Sequence, residues 1–174
     1  MTLSKGRRDR YPQFFTGVLS ESAANTFTTV SINVPTNLLM GGGLRRTIIE
    51  ILWVEIAIDT SGDDGASGSY TQVSFTLGSA PTAIIPLSDP RCFTFWSRGQ
   101  ILTTSGLVEY HYPVKLSLQS NDGFGYLMAG DRFHISILGI SQTNAQALRW
   151  RIYYREVGVS IQEYVGIVQQ QSQQ

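Results

Sequence analysis

The chain has 174 residues, enough for one domain with a sizeable core. Thirteen basic residues cancel thirteen acidic ones, so net charge excludes a polyelectrolyte that coats nucleic acid with its whole surface, and any such contact must come from local clusters. Only 15% of residues are charged against 42% apolar, which suits a protein covered by other protein, while a single cysteine excludes an internal disulfide and fits a reducing compartment.

The first segment, MTLSKGRRDRYPQFF, sets Lys5, Arg7, Arg8 and Arg10 against Asp9, with no apolar run of secretory length behind it. Residues 1–20 are expected to form a basic arm that holds phosphate without reading sequence, the bland alternative being a solubilising terminus. Eight extended segments follow, and no amphipathic helix longer than two turns is expected. In NTFTTVSINVP (25–35), Thr28, Val30, Ile32 and Val34 share one face. RTIIEILWVEIAID (46–59) is apolar on both faces, with Ile48, Leu52, Val54, Ile56 and Ile58 opposite Ile49, Ile51 and Trp53. Glu50 and Glu55 interrupt it and it is too short to cross a bilayer, so it reads as a strand covered on both sides. In the loop 59–69, Asp59, Asp63 and Asp64 could ligate calcium, but the spacing and closing Glu of an EF-hand are missing and a solvated turn is expected.

YTQVSFTL (70–77), RCFTFWS (91–97), VKLSLQS (114–120), FGYLMA (124–129) and RFHISILGI (132–140) continue the strand pattern, across a connection punctuated by Pro81, Pro86 and Pro90. ALRWRIYYREV (147–157) closes the set, with Leu148, Trp150, Ile152 and Tyr154 on one face and Arg149, Arg151, Tyr153 and Arg155 on the other. These segments predict an all-β fold, an eight-stranded antiparallel two-sheet jelly-roll sandwich over residues 21–160. Its last strand lies centrally beside the first, arginine face outward. The Gln-rich tail, 161–174, is expected to lie on a neighbour or to move freely.

No enzymatic constellation emerges. EYHYP supplies only Glu109 and His111 where a metal-binding cupin needs His-x-His with a carboxylate, GASGS (65–69) lacks the spacing of a nucleophile elbow, and GFG (123–125) is too short to cradle a pyrophosphate. No cofactor and no metal are expected, and His134 and Cys92 read as core groups.

The run RIYYREVGVSIQEYVGIVQQQSQQ, with its strand, its VS-x-x-EY-x-GIVQ turn-off and its glutamine end, resembles the C-terminus of capsid proteins of small circular single-stranded DNA viruses known from environmental samples. The resemblance implies a virion protein, assembled in a host cell into an icosahedral shell of about sixty or more copies. Its arm would turn inward to a single-stranded DNA genome, with no membrane involved. On that reading Lys5, Arg7, Arg8, Arg10, Arg149 and Arg151 meet phosphate. Trp53, Arg155, Glu163 and Tyr164 would form contacts between copies, Arg155 pairing with a neighbour's glutamate. About sixty copies bring roughly 420 positive charges from the arm, Lys115, Arg149, Arg151 and Arg155, against about a thousand phosphates per kilobase, so polyvalent cations or a larger shell must supply the rest. A trimeric β-sandwich that binds a ligand or receptor through its loops explains the low charge equally well, but leaves the basic arm without a role.

Overall fold

Side-chain alternation runs through nine strands in the described residues of the computed structural model, which are 12–34, 45–59, 69–99 and 113–172. They are β1 (Gln13–Ser20), β2 (Thr28–Asn33), β3 (Arg45–Asp59), β4 (Tyr70–Thr76), β5 (Cys92–Gly99), β6 (Val114–Ser117), β7 (Tyr126–Met128), β8 (Arg132–Ile140) and β9 (Ala147–Ser160), followed by one helix, α1 (Ile161–Ser172). Lys5, Arg7, Arg8, Arg10, Asp63, Asp64, Glu109 and His111 lie outside the described residues.

All pairings are antiparallel, and the strands form two sheets, ordered β1-β9-β3-β6 and β2-β8-β4-β5. Strand β7 pairs the same partner as β6, β6 taking Trp53–Ile56 and β7 taking Ile49–Ile51 of β3, so the two share one position and each sheet has four. The sandwich core is built from both inner faces: Ile49, Ile51, Val54, Ile56, Leu148 and Ile152 from one sheet, Val73, Phe75, Phe133, Ile135 and Ile137 from the other. Burial of this many large apolar side chains, each worth about 1.5–3 kcal/mol, outweighs anything else on offer for holding the sheets together.

Four expectations change. Residues 13–20, expected within the basic arm, form β1, register-paired to β9 from Gln13↔Tyr154 to Ser20↔Ala147. Phe15 stacks on Tyr154 with centroids 4.4 Å apart, and Leu19 is buried in the core. Gly17 breaks the apolar rhythm of QFFTGVLS because a Cβ there would sit 2.6 Å from the Trp150 ring. Second, β9 is central, flanked by β1 and β3, but the segment at 25–35 pairs β8 in the opposite sheet. Third, β3 does not keep one phase. Between Ile51 and Trp53 the register against β9 shifts by one residue, so the inward set is Ile49 and Ile51 before Leu52 and Val54, Ile56 and Ile58 after it.

Fourth, the tail is a twelve-residue helix seated on its own chain. A capping box starts it: Ser160 N donates to Glu163 Oε2 (2.9 Å) while Glu163 N donates to Ser160 Oγ (3.2 Å). Tyr164 and Ile167 pack on a second apolar cluster of Ile48, Ala129, Val157 and Val159, on the outer face of the β9 sheet. Gln171 then accepts from Ala129 N (3.2 Å) and donates to Leu127 O (2.7 Å), so one side-chain amide stands in for a strand on the free edge of β7.

Candidate functional site: the outer face of the β9 sheet

Strand β9 points Leu148, Trp150, Ile152 and Tyr154 into the core, and its other face runs Arg149, Arg151, Tyr153, Arg155, Val157, Val159. Helix α1 covers the valine half. The arginine half stays open, and register fixes what surrounds it: Phe14, Tyr153, Trp53 and Ser117 form one row across four strands, Thr16, Arg151, Glu55 and Lys115 the next, and Val18, Arg149 and Ala57 a third.

The aromatic row is packed as a unit. Tyr153 stacks on Trp53 at 4.4 Å and meets Phe14 at 5.9 Å, the Arg151 guanidinium lies 5.0 Å from the Phe14 ring centroid, and Lys115 Nζ sits 4.1 Å over Trp53. Phe14 and Val18 keep more than half of their surface exposed, at 53% and 61%. Beside them, Thr16, Val18, Ala57, Pro113, Arg149 and Arg151 line a shallow depression of about 580 Å³.

Each arginine meets a β3 carboxylate. Arg149 Nε pairs with Asp59 Oδ2, and Arg151 Nη1 lies 4.0 Å from Glu55 Oε2 while donating to the Tyr153 hydroxyl at 3.0 Å, a contact that raises the Arg151 pKa further above its ordinary range. Arg155 Nε donates to Glu50 Oε2 at 2.5 Å, and its Nη2 donates to Gly123 O at 3.3 Å. The Glu50 side chain is 2% exposed and also accepts Gly125 N at 2.8 Å. Gly125 must be glycine, since a Cβ would fall 2.2 Å from Ile51 O. Lys115, Arg149 and Arg151 thus face Glu55 and Asp59, and this half of the sheet is close to neutral rather than basic.

The sequence-predicted residues therefore separate. Arg149, Arg151 and Trp53 come together on the open half. Arg155 is held within its own chain by Glu50, and Glu163 caps the helix. Tyr164, on α1, is half-buried against the sheet. Asp59, weighed for calcium, is the partner of Arg149. Phe14, which the sequence offered as an anchor of the arm against protein, and Tyr153, which it placed on the arginine face of the last strand, are both part of the open face.

Cys92 is buried, with Sγ donating to Thr94 O at 3.2 Å, and burial pushes its thiol up. His134 is 1% exposed; its Nε2 lies 2.9 Å from Gly78 O and its Nδ1 2.9 Å from Ser31 Oγ, so both ring nitrogens are partnered within the chain.

No family model and no curated protein sequence matches the chain. Among solved structures it is similar to VP1 of Trichodysplasia spinulosa-associated polyomavirus in complex with GM1 oligosaccharide, with a TM-score of 0.53 at 10% identity over 91% of this chain and 97% of that one. It is also similar to VP1 of Human Polyomavirus 12 in complex with 3′-sialyllactosamine (TM-score 0.53, 13% identity, 86% and 100% covered) and to VP1 of Merkel cell polyomavirus in complex with disialyllactose (TM-score 0.53, 9% identity, 91% and 98% covered). At such identities the likeness is one of fold. The chain is an all-β, antiparallel two-sheet jelly roll, the fold of these viral capsid proteins.

Proposed function

We propose that the chain is a capsid subunit: copies of it assemble into a closed icosahedral shell, the virion, around a small single-stranded DNA genome. The observation that carries this reading is the likeness of 91% of the chain to the jelly roll of a polyomavirus VP1. A composition with little charge, and an open face carrying Phe14 and Val18, support burial against like copies.

Genome contact falls mainly to Lys5, Arg7, Arg8 and Arg10, because Arg149 and Arg151 must share their charge with Asp59 and Glu55 before phosphate gains anything from them. Trp53 is the residue of the predicted set best placed for contact between copies. Electron microscopy of purified protein across salt and pH tests the shell: uniform closed particles are expected, and a persistent monomer or trimer at high concentration overturns it. Nucleic acid that co-purifies and is lost on deleting residues 1–10 assigns the arm; retention unchanged by that deletion removes the assignment.

A second reading is a trimeric sandwich that binds a ligand or receptor through its loops. The oligosaccharides bound to the VP1 structures favour it. Saturation-transfer NMR with sialyllactose separates it from the first, since a trimer that binds glycan and never closes into particles would establish it.

A further inference from the structure

Two complementary apolar features lie away from the β9 face. One is a knob. Leu87, at 64% the most exposed large apolar side chain among the described residues, sits at the tip of the β4–β5 connection, flanked by Pro86 and Pro90. Its support is rigid: Asp89 N donates to Pro86 O at 3.0 Å, Cys92 N donates to Asp89 O at 2.9 Å, and the Arg91 guanidinium grips the Asp89 carboxylate with Nε and Nη2 at 3.0 and 2.8 Å. A large apolar side chain held out on a braced turn has little conformational freedom left to lose on docking.

The other is a hole. Between α1 and the sheet, a hollow of about 300 Å³ is lined by Leu77, Ala129, Tyr164 and Val168, with Gly78 and Gly130 presenting no side chain. An apolar cavity of roughly 150 Å³ already holds a benzene-sized group, so the hollow has room for an isobutyl side chain. Alongside it, Ile161, Val165 and Val168 recur at helical spacing and are 39%, 44% and 36% exposed, while Tyr164 and Ile167 on the adjoining face pack on the chain's own core.

The surroundings say what kind of partner fits. Arg91 is matched by Asp89 and Arg132 by Asp131, each pair formed inside the chain. Neither a polyanion nor a polycation gains from such a surface, whereas an equally neutral copy of it meets no repulsion. We propose that Leu87 of one subunit seats in the hollow beside Val168 of another, with the Ile161–Val165–Val168 stripe covered in the same contact. The inference deepens the capsid reading, on which it rests, by naming one copy-to-copy contact. A knob and a hole on one molecule permit head-to-tail rings or a two-fold exchange, both of which close.

The test compares wild type with Leu87→Asp and Val168→Asp, each checked by circular dichroism for an unchanged fold, in sedimentation velocity and electron microscopy. Each variant is expected to raise the concentration needed for particles by at least tenfold. Wild type that assembles, with L87D assembling at the same concentration, overturns the contact and leaves the capsid reading standing. Wild type that never assembles overturns the capsid reading instead. A second measurement covers that case and any variant that misfolds: in a Cys92→Ala background, Leu87→Cys and Val168→Cys chains of different length are mixed at high concentration and oxidised. The mixed disulfide is expected in preference to either self-linked pair. Its absence overturns the contact whatever else the protein forms.

Discussion

Arg155 shows how a surface-like cation becomes structural. It lies opposite Glu50, whose carboxylate is almost fully removed from water, so deleting the guanidinium would strand a charge with only Gly125 N to answer it. Arg155→Met is expected to cost about 3–5 kcal/mol, and the double substitution with Glu50→Met to recover most of it, as read by a urea-denaturation cycle; independent, additive effects would refute the coupling. Asp89 is the second residue whose charge matters. The Arg91 side chain beside it lowers its pKa from 3.8 to about 2. Because the folded value is the lower one, the turn's support is complete above about pH 4 and is lost as pH falls through 2. Carboxyl NMR shifts should titrate near pH 2 for Asp89, and a midpoint near 4 would show that the fork does not form in solution. Alternation alone exposed the arginine face of β9, but not its partners. Glu50, Glu55 and Asp59 lie about a hundred positions away, and pairing them correctly requires both the β3–β9 register and its shift at Leu52.

At the scale of elements, α1 depends on the reciprocal Ser160–Glu163 cap. Ser160→Ala should cost about 1 kcal/mol and raise hydrogen exchange across residues 161–172 before it affects the sheets; uniform exchange throughout the molecule would contradict this. The S-x-x-E signature stands plainly in VSIQEYVG, yet four β-branched residues and a glycine within IQEYVGIV are poor evidence for a helix by propensity. What holds α1 is the tertiary contact of Tyr164, Ile167 and Gln171, invisible to local pattern. Strand β1 escaped notice for a related reason, since Gly17 is set by the Trp150 ring and not by strand propensity. The remaining strands were legible because a sandwich imposes period two wherever one face is dry. The split of one sheet position between β6 and β7 was not, as it needs knowledge of a shared partner.

For the molecule as a whole, the open half of the β9 sheet is too nearly neutral to dominate binding to a polyanion. Deleting residues 1–10 removes four cations and should flatten the salt dependence of single-stranded DNA binding by about 3 in log–log slope. Arg149→Gln should change it by well under 1. Fluorescence anisotropy across a salt series distinguishes them, and a larger effect from Arg149 would move any single-stranded DNA contact onto the sheet.

The seating of α1 also gives the molecule a vulnerable seam. Cleavage just after Ser160 would leave the main sandwich intact but strip the cover from Ile48, Val157 and Val159, baring a greasy strip beside Arg155 and reopening the edge of β7. A clipped chain would still be folded, yet it would carry an adhesive patch and would be lost to sticking rather than to unravelling.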